Sequence, residues 1–115
     1  MKAIGVSNPY MSGKVYIIWE IPHDKINAFE IYRDENIIAS SLAEEGMNIF
    51  VPPTIFDHDH HTNHFKKDST YKLMYIDEDV SKYQHYKYKV IALRVNENGD
   101  IIEKIQSNTV YIEAQ

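Results

Sequence analysis

Four of the six histidines fall in one short stretch, Phe56-Asp57-His58-Asp59-His60-His61-Thr62-Asn63-His64-Phe65. Neutral imidazole and carboxylate are suitable ligands for Zn2+ or Ni2+, and alternation puts His58 and His60 on one side of an extended segment. His61 and His64 complete the candidate metal set, with His64 able to close onto the others through a loop. Clustered imidazoles also titrate near neutrality and repel when charged, which would give a pH response. A solvated polar loop rich in histidine is the plain alternative, and all three readings stay open.

The remaining chemistry is thinner. The order of Asp and His differs from the His-x-His-x-Asp-His run of metallo-hydrolases, and a catalytic zinc would need a concave pocket with an open coordination position. Asp77-Glu78-Asp79 and Asn96-Glu97-Asn98-Asp100 are acidic turns that could attract Ca2+, but neither alternates oxygen ligands around a glycine pivot as a dedicated loop does. They read as solvated turns. No Gly-rich phosphate loop, nucleophile elbow or cysteine nucleophile occurs in the sequence. Nine tyrosines and a single tryptophan raise the question of an aromatic carbohydrate platform. By periodicity Trp19, Tyr86 and Tyr88 point into a core, whereas Tyr16, Tyr32, Tyr83 and Tyr111 face out from different strands.

The elements that would carry these residues are strands. Val15-Tyr16-Ile17-Ile18-Trp19-Glu20-Ile21 is β-branched and aromatic, places Val15, Ile17, Trp19 and Ile21 on one face, and stops at Pro22. Residues 28–33 and 37–39 form a hairpin about Asp34-Glu35-Asn36. Ser41-Leu42-Ala43-Glu44 has capping-box spacing, but Gly46 ends any helix after about one turn. Residues 47–69, with Pro52-Pro53 and the histidines, lack periodicity and read as a long loop or insertion. Strands return at 71–76, at 86–93, at Ile101-Ile102 beyond the Asn98-Gly99 turn, and at 108–112. Ile18, Ile91 and Leu93 fall on outward registers; Tyr32, Ile91 and Leu93 are therefore candidates for a partner patch, with a local bulge that turns one of them inward as the alternative.

Length and composition set the bounds. A chain of 115 residues has material for one core, so residues 1–115 are expected to form a single domain. The formal charge of −5 opposes binding to a phosphate backbone, so nucleic acid is not an expected partner. No apolar run reaches the roughly 18–20 residues that cross a bilayer, and the start shows no signal-peptide core, so membrane insertion is not expected. Zero cysteines exclude a disulfide staple and a thiolate site and leave the compartment open.

The order of these landmarks resembles the fibronectin type III family. Gly13 to Trp19 is similar to that family's second strand with its core tryptophan, and Phe29-Glu30-Ile31-Tyr32-Arg33-Asp34 to its third. Val80 precedes Tyr86 by six positions, the spacing of an aliphatic residue and the corner tyrosine, and Ser107-Asn108-Thr109-Val110 resembles the entry to the last strand. The resemblance implies an all-β, antiparallel immunoglobulin-like sandwich of about seven strands, with Trp19, Val80, Tyr86 and Tyr88 as structural residues and the Tyr86 hydroxyl bonded to upstream backbone. Ser81-Lys82-Tyr83-Gln84 departs from the family, where Pro-Gly is frequent, and no Arg-Gly-Asp occurs. The implied role is a non-catalytic recognition, adhesion or spacer module of a surface, secreted or virion protein, with a protein or glycan partner, neighbouring domains or its own copies as contacts. No cofactor is expected beyond Zn2+ or Ni2+ at the histidines. The alternative is a small metal-dependent hydrolase centred on His58, His60, His61 and His64 with Asp57 or Asp59.

Overall fold

The computed structural model describes residues 1–23, 25–40, 49–50 and 72–115. The histidine stretch and the capping-box segment lie outside these residues. Nine strands occur among the described residues: β1 (Ala3–Val6), β2 (Val15–Glu20), β3 (Ala28–Arg33), β4 (Asn36–Ser40), β5 (Ile49–Phe50), β6 (Lys72–Asp77), β7 (His85–Val95), β8 (Ile101–Gln106) and β9 (Val110–Glu113). All pair antiparallel in two sheets, β1-β2-β6-β5 and β4-β3-β7-β8, with β9 also on β7. The chain is all-β, and its two sheets stack on a common core.

That core follows from alternation. Val15, Ile17 and Trp19 of β2 and Leu73 of β6 meet Phe29 and Ile31 of β3 and Tyr88, Val90 and Ala92 of β7. The rings of Trp19 and Phe29 lie 5.4 Å apart and tilted, joining the two sheets.

Two strands exceed the expected set. The two-residue β5 lies in the stretch read as loop. The other, β1, was hidden by Gly5, which weakens a strand signal. A Cβ at Gly5 would sit 2.8 Å from Val110 Cγ1 and 3.2 Å from Ile112 Cδ1, so the glycine lets β1 approach β9. Asn108 completes that junction: its Oδ1 accepts from the Ala3 N–H at 2.8 Å and its Nδ2 donates to the Ala3 carbonyl at 3.0 Å. Further on, the Gln115 N–H donates to Ser7 Oγ at 2.9 Å. Contacts of residues 3, 5 and 7 with 108, 110–112 and 115 mean that β1 and β9 run side by side in the same direction. The chain therefore enters at one pole of the molecule and leaves at the other.

The final strand is split. β8 pairs with residues 91–95 of β7, and β9 with residues 85–88. Between them Ser107 keeps the ladder closed, its N–H donating to the Val90 carbonyl at 2.8 Å and its Oγ accepting from the Val90 N–H at 2.9 Å.

The hairpin turn between β3 and β4 has Asp34 at φ 49° and Glu35 at φ 73°, as a two-residue turn matched to strand twist requires. Tyr83 also has a positive φ, 69°. Such backbone disfavours a β-carbon by about 1–2 kcal/mol. Tyr83→Gly should therefore raise stability by about 0.5–1 kcal/mol after the entropy gained by the unfolded chain is subtracted. Urea denaturation checks this, and a loss of stability would contradict it.

Candidate functional site

Asp77 sits at the end of β6 on the inward parity of Leu73 and Tyr75, and is only 2% exposed. A buried carboxylate needs partners, and this one accepts four hydrogen bonds: from Arg33 Nη1 to both oxygens at 3.0 and 2.8 Å, from the Tyr88 hydroxyl at 2.7 Å and from the Asp79 N–H at 3.1 Å. Arg33 Nη1 also donates to the Asp79 carbonyl at 3.2 Å. The reading of Asp77 as part of a solvated acidic turn is thus corrected, because the strand's parity carries it inside. All its acceptor capacity is committed, so the cluster holds strands together and leaves no open position for a ligand.

This cluster sets a pH dependence. Burial first, then the hydrogen bond and charge of Asp77, push the Tyr88 hydroxyl well above the ordinary tyrosine range. For Arg33 burial acts downward, but the hydrogen bond and charge of Asp77 outweigh it and raise the guanidinium. In the unfolded chain tyrosine ionises near pH 10, about where native Tyr88 must stay protonated. The stability this provides is complete below that pH and is lost above it, at about 1.4 kcal/mol per pH unit. Tyr32, raised by burial and by Glu30, adds with the same sign. Urea midpoints should fall between pH 9 and pH 11 in the wild type and fall less in Tyr88→Phe; equal slopes would contradict this assignment.

At the other acidic turn, Asn96 Oδ1 accepts from the N–H groups of Asn98 and Asp100 at 3.0 and 2.9 Å, and Gly99 takes φ 86°. That carboxamide serves the turn. Among the described residues no three of His, Cys, Asp and Glu converge as a metal set.

The expected structural residues occupy the core. Trp19 and Tyr88 are buried, and Val80 and Tyr86 pack against the same cluster. The Tyr86 hydroxyl accepts from the Ser81 N–H at 2.8 Å, a bond to backbone five residues upstream.

The outward tyrosines divide. Tyr83 and Tyr111 are exposed and Tyr32 half-buried, but Tyr16 is only 7% exposed. It does lie on the outer face of the first sheet, packed with Ile18 and Met74 and flanked by Val6 and Ile76, so its register is outward but its ring is covered.

Tyr32, Ile91 and Leu93 come together on the outer face of the second sheet, where Ala28, Ile91 and Leu93 form an apolar cluster flanked by Tyr32 and Val95. Both Ile91 and Leu93 keep the outward register; the irregularities fall instead between Ile31 and Tyr32 and between Arg94 and Val95. Leu93 has 0% exposure, so it supports this face from below and offers no contact area of its own.

Next to that cluster register builds a groove. Tyr32 lies opposite Lys89, Lys87 opposite Tyr111, and Ile91 opposite Gln106. These residues, with Glu35 and Thr109 at the rim, enclose about 350 Å3. A second hollow of about 370 Å3 continues past Lys87 and Tyr111 toward His85 and Glu113. Both volumes are of ligand-site size. Comparison with family models, curated proteins and solved structures finds no match.

The groove's charges are unequally placed. Lys87 Nζ is 3.0 Å from Glu35 Oε1, and the pair lowers the carboxyl and raises the ammonium. Lys89 makes no hydrogen bond or ion pair among the described residues, although it is half-buried. The Tyr32 hydroxyl is turned to Glu30 Oε1 at 3.3 Å. Tyr111 is 78% exposed and presents its ring to solvent.

Proposed function

We propose that this chain is a non-catalytic recognition and spacer module with a fibronectin type III-like, immunoglobulin-like sandwich. Three features support that fold: the order of strands in the two sheets, Trp19 between them, and the Tyr86 hydroxyl bonded to backbone upstream of its strand. The opposite exits of β1 and β9 suit a module threaded in line with neighbouring domains.

The observation that carries the recognition half is the outer-face groove. It sets an exposed aromatic ring from β9, a half-buried ring from β3 and two ammonium groups from the central strand β7 side by side, where a ligand meets a surface already formed. Polar side chains converge there on an apolar floor, the usual make-up of a binding site. A surface, secreted or virion setting fits this role, and the ligands that fit are glycans or proteins.

A glycan array probed with the wild type and with Tyr111→Ala tests this reading. The expected result is a ligand class retained by the wild type and lost by the variant at an unchanged melting temperature. Turnover of ester, phosphoester or peptide substrates on addition of Zn2+, without any Tyr111-dependent ligand, would overturn it.

A further inference from the structure

We infer that the groove between Tyr32 and Tyr111 binds an acidic saccharide, with a ring face of the sugar on Tyr111 and its carboxylate on Lys89. This rests on the reading of the outer face as the recognition surface and names the ligand class.

The groove runs over β7, whose two edges are already taken by β3 on one side and by β8 and β9 on the other. An extended peptide has no free edge there to pair with, so main-chain addition is closed and a ligand must be held by side chains alone. Tyr111 supplies an exposed aromatic face, and Gln106 and Thr109 supply groups that both donate and accept, as sugar hydroxyls require.

Of the two ammonium groups, Lys87 is held by Glu35 at 3.0 Å, while half-buried Lys89 acts on that carboxylate only at longer range and makes no hydrogen bond or ion pair among the described residues. Glu35, the only carboxylate among the described residues that line the groove, is therefore engaged chiefly by Lys87. An anion seated at Lys89 gains a charge-assisted hydrogen bond in partial shelter from water. Because the whole chain carries −5, this attraction is local, and it weakens with added salt only as far as Lys89 is exposed.

Calorimetric titration of the full chain with tetragalacturonate, maltotetraose and hexaglutamate tests the inference. The expected result is binding of tetragalacturonate about tenfold tighter than maltotetraose, the difference removed by Lys89→Gln. Tyr111→Ala should weaken both sugars, and Ile4→Ser, on the opposite sheet, neither. Equal affinity for the two sugars, or tighter binding of hexaglutamate, would overturn the acidic-saccharide assignment while leaving a Tyr111-dependent recognition face. Binding of none of the three also overturns it, and the recognition-face reading then falls only if the array shows no Tyr111-dependent ligand.

Discussion

Asp77→Ala is expected to cost about 3–5 kcal/mol. The Arg33 side chain is only 20% exposed, and the change strands its guanidinium beside a Tyr88 hydroxyl that has lost its acceptor. A typical domain has about 5–15 kcal/mol to lose, so the variant should unfold at markedly lower urea. Breaking one partner and replacing all of them are different experiments. The triple change Arg33→Met, Asp77→Leu, Tyr88→Phe removes both buried charges, leaving only the exposed Asp79 carboxylate, and should recover most of the loss, because the desolvation of the buried ions is then no longer required. If Asp77→Ala costs under about 1 kcal/mol, the carboxylate is hydrated and the buried cluster is wrong.

Trp19 gives the second large effect, in a pair of variants that should differ sharply. Trp19→Ala opens a cavity between the sheets at a cost of about 3–5 kcal/mol. Trp19→Phe loses part of the indole's packing but also removes its Nε1–H, which is buried without an acceptor among the described residues. Leaving such a donor unpaired costs about 1–3 kcal/mol, which offsets much of the lost volume. The phenylalanine variant should therefore lie within about 1 kcal/mol of the wild type in denaturant melts. Equal losses for Ala and Phe would mean that the indole N–H is satisfied.

Parity made much of this architecture legible in the sequence. Val15, Ile17 and Trp19 alternate inward, as do Tyr86, Tyr88, Val90 and Ala92, because a strand buried on one face repeats every second residue. The same count reveals the buried ion cluster once it is carried to the strand ends: Leu73, Tyr75, Asp77 on β6 and Phe29, Ile31, Arg33 on β3. Composition hid it, since Asp-Glu-Asp is also the composition of a solvated turn. Tyr16 and Ile18 carried a signal as well. Apolar residues on both faces of β2 indicate a strand covered on both sides, a reading that alternation alone passes over.

The groove was not legible in the same way. Tyr32 and Tyr111 are separated by most of the chain, and only the pairing of β3 and β9 with β7 brings them to one face. Their convergence depends on the break at Ser107, which restarts the last strand in a new register. A polar Ser-Asn-Thr run indicates an interruption but not its geometry. β1 was missed for a related reason, because Gly5 is selected by the approach of Val110 and Ile112, a contact made across the whole length of the sequence.

Residue-resolved amide shift mapping, with the saccharide the array selects, tests the recognition face most directly. Shifts are expected to concentrate at Tyr32, Lys87, Lys89, Gln106, Thr109 and Tyr111, with β1 and β2 unmoved. Shifts centred instead on the first sheet, or on residues 56–65 with a requirement for added Zn2+, would contradict it.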